Sequence, residues 1–145
     1  MLLQTIKHIP FKEVLTQATD SIVLEAQERH VRRKLIVTTT GLEILIDLQR
    51  PVFLEDGDQL ELSNGQFIQA IAAEEDLLEV IGTSAAHMVR LGWHIGNRHL
   101  AAQLAAHRIL IKPDRVIEAM LVGLNAKVRM VREKFNPEHG AYHGH

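Results

Sequence analysis

Gly82-Thr83-Ser84-Ala85-Ala86-His87-Met88-Val89-Arg90-Leu91-Gly92-Trp93-His94-Ile95-Gly96-Asn97-Arg98-His99 is the stretch on which the fold turns. Gly82 closes a strand-like run, Asp76 to Ile81. Thr83 or Ser84 then offers the side-chain oxygen that satisfies the free N–H groups of a helix's first turn. Ala85, Met88, Val89, Gly92, Ile95 and Gly96 recur at helical spacing and predict one packed stripe. Gly96-Asn97 predicts the stop, since both residues tolerate left-handed backbone. Downstream, Leu100 to Ala105 and Ile109 to Lys112 read as short strands around a turn at Ala106-His107-Arg108. Asp114 is placed to cap a second helix whose apolar positions are Val116, Ile117, Met120, Leu121 and Leu124. Lys127-Val128-Arg129-Met130 alternates as a last strand. Strand–helix–strand–strand–helix–strand is the ferredoxin-like order.

Working back toward the N-terminus, no helical period of useful length appears. Ser21 to Ala26, Val31 to Thr38, Leu42 to Leu48, Gln59 to Leu62 and Phe67 to Ala73 read as strands, separated by Thr40-Gly41, Asp56-Gly57-Asp58 and Asn64-Gly65 turns. From Phe135 onward the apolar period is lost, which predicts a mobile tail. The expected fold class is α+β, with an all-β N-terminal domain over 1–73, a ferredoxin-like βαββαβ domain over 74–134 and a flexible histidine-containing tail over 135–145.

The totals narrow the function. The 145 residues carry a formal net charge of −2, without a broad basic field or a polybasic run. That argues against nucleic acid and membrane surfaces as partners. No apolar run is long enough to span a bilayer, and no leader-like N-terminus is evident, so a cytoplasmic protein is expected. There is no cysteine nucleophile, no Walker-type loop and no G-x-S-x-G elbow, so no catalytic residue is assigned and the chain is not expected to be an enzyme. The absence of cysteine also means that any metal must be held by nitrogen and oxygen ligands.

Histidine is the informative residue. There are nine, three of them in the last seven positions, and histidine is the commonest metal ligand. His87 and His94 share a helix face with Arg90. They stand about 10 Å apart by helical rise, too far to chelate one ion, and read as solvated side chains. His99 differs, because it falls between a helix stop and a strand, and a residue held by two rigid elements suits a ligand. A histidine at a helix end is nonetheless more often a capping or surface residue. His139, His143 and His145 form a second constellation, with His143-Gly144-His145 placing two imidazoles around a glycine. Such a segment can wrap a borderline metal, and imidazole suits nickel, zinc and copper alike. His8 and His30 lie without partners, and His107 reads as a turn residue.

Gly96-Asn97-Arg98-His99, with the helix leading into it, resembles the signature of the urease accessory protein E (UreE) family. Phe135-Asn136-Pro137-Glu138-His139-Gly140-Ala141-Tyr142-His143-Gly144-His145 resembles the family's C-terminal segment. Arg32, Arg33, Gly41, Leu48 and Leu54-Glu55-Asp56-Gly57-Asp58 are similar to its framework. The resemblance runs over nearly the whole chain. It implies a nickel metallochaperone, with an N-terminal domain likened to a peptide-binding module. The dimer it implies pairs through the C-terminal domain, where His99 meets its two-fold mate around one Ni2+. It further implies delivery to apo-urease with the urease accessory GTPase as partner, and His139, His143 and His145 as tail ligands; Zn2+ and Cu2+ fit the same donors. Two features depart from the pattern. The tail ends after three histidines where many relatives have a long histidine-rich one, and the start of the second helix, Lys112-Pro113-Asp114-Arg115, lacks the extra histidines some relatives place there. Two other readings use the same residues: a nickel or zinc buffer with no dedicated client, and a hydrolase gathering Asn97, Arg98 and His99 around a phosphate.

Overall fold

Short alternating runs broken by turn residues can bury only one face each, so they must share a sheet. The computed structural model describes residues 2–139, and these divide into two compact units, one ending at Ala73 and the other starting at Glu74. The first unit contains β1 (Leu3–Ile9), β2 (Asp20–Leu24), β3 (His30–Val37), β4 (Glu43–Phe53), β5 (Gln59–Leu62) and β6 (Phe67–Ala72). They form a six-stranded sheet in the order β2-β6-β5-β1-β4-β3. Thr39 N–H bonds Ser21 O at 2.8 Å, which brings the chain leaving β3 against β2 at the far end of the sheet. Ile22, Ile44, Ile46, Leu60, Leu62 and Ile68 pack inside the curl. Each such side chain contributes about 1.5–3 kcal/mol by leaving water.

Two details of this unit lie outside what alternation predicts. Leu3–Ile9 carries no clear alternation, yet it forms β1 between β5 and β4. Strand β4 runs on past Leu48 to Phe53 because it bulges. Val31 faces Val52 and Arg33 faces Asp47, so Leu48 to Pro51 all stand opposite Arg32 alone. Pro51 sits in that bulge, where a missing N–H breaks no rung. The turn before β5 needs its glycine. Gly57 has φ +95, and a Cβ there would lie 2.6 Å from the Phe11 ring.

The second unit runs β7 (Glu74–Ile81), α1 (Ala85–Asn97), β8 (Ala102–Leu104), β9 (Ile109–Ile111), α2 (Arg115–Gly123) and β10 (Lys127–Lys134). Its sheet has the order β10-β7-β9-β8, with every neighbouring pair antiparallel. Leu78, Val80 and Ile109 of the sheet meet Leu91 and Ile95 of α1 and Ile117 and Leu121 of α2. The buried stripe of α1 is therefore rotated from the expected one. Leu91 and Ile95 are buried, with Met88 half-buried, whereas Ala85, Val89 and Gly96 face solvent. Among the described residues the chain is thus mixed α+β with two α-helices, and no helix is long and apolar enough to cross a membrane.

Charge stabilises one sheet position that the sequence did not mark. Glu79 on β7 is 3% exposed. It accepts from Arg129 Nε at 2.6 Å and Arg108 Nη1 at 3.0 Å, and Arg108 also holds Glu133 through two bonds of 2.6 Å. These hydrogen bonds from Arg129 and Arg108 keep the Glu79 carboxyl below its ordinary value despite burial.

The expected mobile tail needs correcting at its root. Phe135 is 1% exposed. Asn136 N–H bonds Gln103 Oε1 at 2.9 Å and Glu138 N–H bonds Ala102 O at 2.7 Å, so this segment is laid along the outer strand β8. A single aromatic residue has no periodicity to reveal it, which is why the sequence reads as unstructured there. His143 and His145 lie outside the described residues.

Candidate metal centre

Local chemistry sets both ends of α1. Ser84, not Thr83, is the N-cap, and its hydroxyl accepts from His87 N–H at 3.1 Å. At the other end Arg98 is the C-cap. Arg98 N–H bonds Ile95 O at 3.2 Å and His99 N–H bonds Gly96 O at 3.0 Å. The residue that turns left-handed is His99, with φ 58, and not Gly96 or Asn97 as the sequence predicts. A left-handed conformation costs an ordinary L-residue roughly 1–2 kcal/mol, though histidine is among the side chains enriched there. That backbone directs the Cβ of His99 away from the course the helix side chains follow.

The His99 side chain is exposed, and among the described residues no hydrogen bond or ion pair commits its imidazole. Both ring nitrogens are open to a ligand. Among the described residues His107 shares this exposure without a ring partner, but most of the other histidines differ. His8 Nε2 lies 2.8 Å from Asp58 Oδ2. Asp58 is 2% exposed; burial pushes its carboxyl up, but the His8 bond and the N–H groups of Glu55 and Phe11 outweigh this and hold it below the ordinary range. The His30 ring lies against that of Phe53 with centroids 4.7 Å apart and the planes tilted by 57°. His94 meets Trp93 edge-on at 5.0 Å. His107 is exposed in the β8–β9 turn, where Ala105 N–H bonds Arg108 O.

His87 requires a second correction, for it is no solvated side chain. Its Nδ1 accepts from Thr83 N–H at 2.8 Å, and its Nε2 lies 2.7 Å from Leu124 O. A carbonyl can only accept, so Nε2 carries the proton and Nδ1 is bare. The ring ties the entry of α1 to the exit of α2. This partner lies 37 residues away in sequence, so no local signal could have found it. His87, Arg90, His94 and Asn125 line a polar cleft of about 410 Å³, and His99 is not part of its wall.

Among the described residues no three His, Asp or Glu side chains gather into a group able to hold a metal. The structure therefore does not bring His99 and His139 together with a third ligand. It does route the chain usefully. His139 is exposed and directly follows Glu138, which is bonded to Ala102, three residues beyond His99.

Residues 2–73 match the family model described as "UreE urease accessory protein, N-terminal domain", and residues 75–145 match "UreE urease accessory protein, C-terminal domain". The chain is 49% identical over 122 residues to a protein of Mesorhizobium japonicum named urease accessory protein UreE; this covers 84% of the chain but 62% of that relative, which is the longer protein. A Brucella anthropi protein of the same name is 51% identical over 122 residues, covering 84% of the chain and 72% of the relative. One from Rhizobium rhizogenes is 42% identical over 138 residues, covering 95% and 83%. With both halves matched in order, and with relatives this similar over most of their own length, the chain belongs to the UreE urease accessory protein family.

Proposed function

We propose that this chain is an accessory factor, not an enzyme, that carries Ni2+ to apo-urease while the urease metallocentre is assembled. The relatives' names support the urease role. The observation that carries the metal reading is His99, an exposed imidazole with both nitrogens uncommitted, held by left-handed backbone at the junction of α1 with the chain to β8. Two copies related by a two-fold axis turn one such ligand into a pair. A pair leaves the shell of the ion incomplete, and His139, His143 and His145 or water would complete it. Ligands of that kind exchange readily, as cargo delivery requires, whereas a structural site closes its shell. Zn2+ and Cu2+ fit the same donors.

The homodimer is supported by the outer face of α1. Val89 and Trp93 there are 74% and 64% exposed. A Cβ at Gly92 would meet only Ile109, at 4.0 Å, and one at Gly96 would meet nothing within that distance. Glycine inside a helix costs about 1 kcal/mol relative to alanine, and no described neighbour requires it here. A bare apolar face of this kind suits close approach by a second copy. In this reading the unit from Glu74 is ferredoxin-like, consistent with its element order and its β10-β7-β9-β8 sheet, the domain boundary falls between 73 and 74, the urease accessory GTPase is the immediate partner, and the setting is the cytoplasm.

Calorimetric titration of Ni2+ into the full chain tests the site. Wild type is expected to bind one high-affinity ion per dimer, and His99→Ala to weaken that binding by at least about tenfold, which is 1.4 kcal/mol. High-affinity binding that persists in His99→Ala overturns the assignment.

A further inference from the structure

The polar cleft between the entry of α1 and the exit of α2 carries more hydrogen-bond donors than the fold uses. Its volume of about 410 Å³ is that of a small-ligand site. His87 is spent on Thr83 and Leu124. Arg90 and His94 follow on the same face of α1 and line the same cleft. Among the described residues the Arg90 guanidinium has no ion pair or hydrogen bond, and the His94 ring meets Trp93 edge-on with both nitrogens unbonded. From α2, Asn125 lines the opening with its side-chain amide likewise uncommitted. The Ser84 hydroxyl accepts from His87 N–H, which leaves its own proton to donate. Ala86 N–H, in the first turn of α1, has no partner among the described residues.

Nothing negative offsets these donors. The chain has 18 aspartate and glutamate side chains against 16 lysine and arginine, yet among the described residues no carboxylate lines this cleft. The carbonyl end of α2, which would repel an anion, is closed. Leu124 N–H takes Met120 O, Asn125 N–H takes Val122 O, Ala126 N–H takes Leu121 O and His87 takes Leu124 O.

A guanidinium presents parallel N–H groups to two oxygens of a phosphate or carboxylate. A phosphate monoester brings three terminal oxygens and a charge of about −1.5 to −2. It can use the imidazole, amide, hydroxyl and backbone donors together, whereas a planar carboxylate leaves part of the set idle. We propose that this cleft binds the phosphate group of a small molecule, with Arg90 and His94 on one side and Asn125 on the other. The site is independent of His99 and of the metal it is proposed to hold.

The test titrates ribose 5-phosphate into the metal-free, 15N-labelled full chain and follows the backbone amide resonances. Saturable shifts are expected at Ala86, Arg90 and Asn125, with submillimolar affinity that weakens as salt is added. Arg90→Gln, an exposed position, is expected to weaken binding by at least tenfold and His94→Gln severalfold. Arg115→Gln at the far end of α2 and His99→Ala should leave it unchanged. Inorganic phosphate separates two sources of the group: affinity equal to that of ribose 5-phosphate assigns the site to free phosphate, and weaker affinity assigns it to a phosphate ester. Ribose and acetate should not bind. Absence of saturable shifts, acetate binding as tightly as phosphate, or an equal loss in Arg115→Gln would each overturn the proposal.

Discussion

The two helices of the second unit finish in the same way with different residues. Each turns left-handed one residue past its cap, α1 at His99 with φ 58 and α2 at Asn125 with φ 67. At the end of α2 the geometry is complete. Asn125 N–H bonds Val122 O at 2.9 Å, Ala126 N–H bonds Leu121 O at 3.0 Å, and His87 takes the Leu124 carbonyl. Asparagine is a usual occupant of such a position. The end of α1 has the His99 N–H bond to Gly96 O, an exposed ring and, among the described residues, no outside clamp. One end is built to hold the fold and uses the residue that local energetics favours. The other accepts a less favoured residue and leaves its side chain unused by the fold. A local rule broken without structural gain marks the position to examine for function.

Four substitutions bear on this contrast. His87→Ala should cost the most, about 1–3 kcal/mol by urea denaturation, because the half-buried Leu124 carbonyl and Thr83 N–H lose their partner. If stability is unchanged, the clamp does not distinguish the two ends. Asp114→Ala removes the acceptor of Val116 and Ile117 N–H at the start of α2, with an expected loss of about 1 kcal/mol and unaltered Ni2+ titration. Asn125→Ala should cost about 1 kcal/mol in thermal or urea melts, since alanine gains nothing from left-handed backbone, and here too Ni2+ binding should survive. His99→Gly should go the other way, raising stability by up to about 1 kcal/mol through relief of the left-handed backbone while Ni2+ binding falls. A destabilised His99→Gly would mean that the imidazole supports the fold after all, and the two ends would then be equivalent.

How much of this was open to the sequence depends on the range of the interaction concerned. Asp114 was legible as an N-cap because a cap acts on N–H groups two and three residues away. The second helix was legible from Ile117 and Leu121, which are indeed buried, but Val116, counted in the same stripe, is 77% exposed. The stripe of α1 was rotated for a related reason. Val89 and Gly96 fit the helical period on the face that remains bare, and periodicity does not say which apolar face a sheet will take. Residue preference points to Gly96-Asn97 for the left-handed turn, whereas the chain turns left-handed at His99, whose N–H closes onto Gly96 O. Long-range features left no trace. The His87 clamp, the burial of Phe135 and the bulge opposite Arg32 each depend on a partner many residues away.

The segment laid along β8 has a consequence for how copies of this chain can associate. A sheet edge with free N–H and C=O groups invites another strand, and such pairing can continue without end. In the second unit Asn136 to Glu138 cover part of one edge through Gln103 and Ala102. The opposite edge, β10, carries Lys127, Arg129, Arg132 and Lys134, charges that discourage an incoming strand. With both borders of this sheet guarded, its growth by edge pairing into a filament is disfavoured, which fits the dimer proposed above through the helical face. A contact between identical helical faces closes on itself after two members.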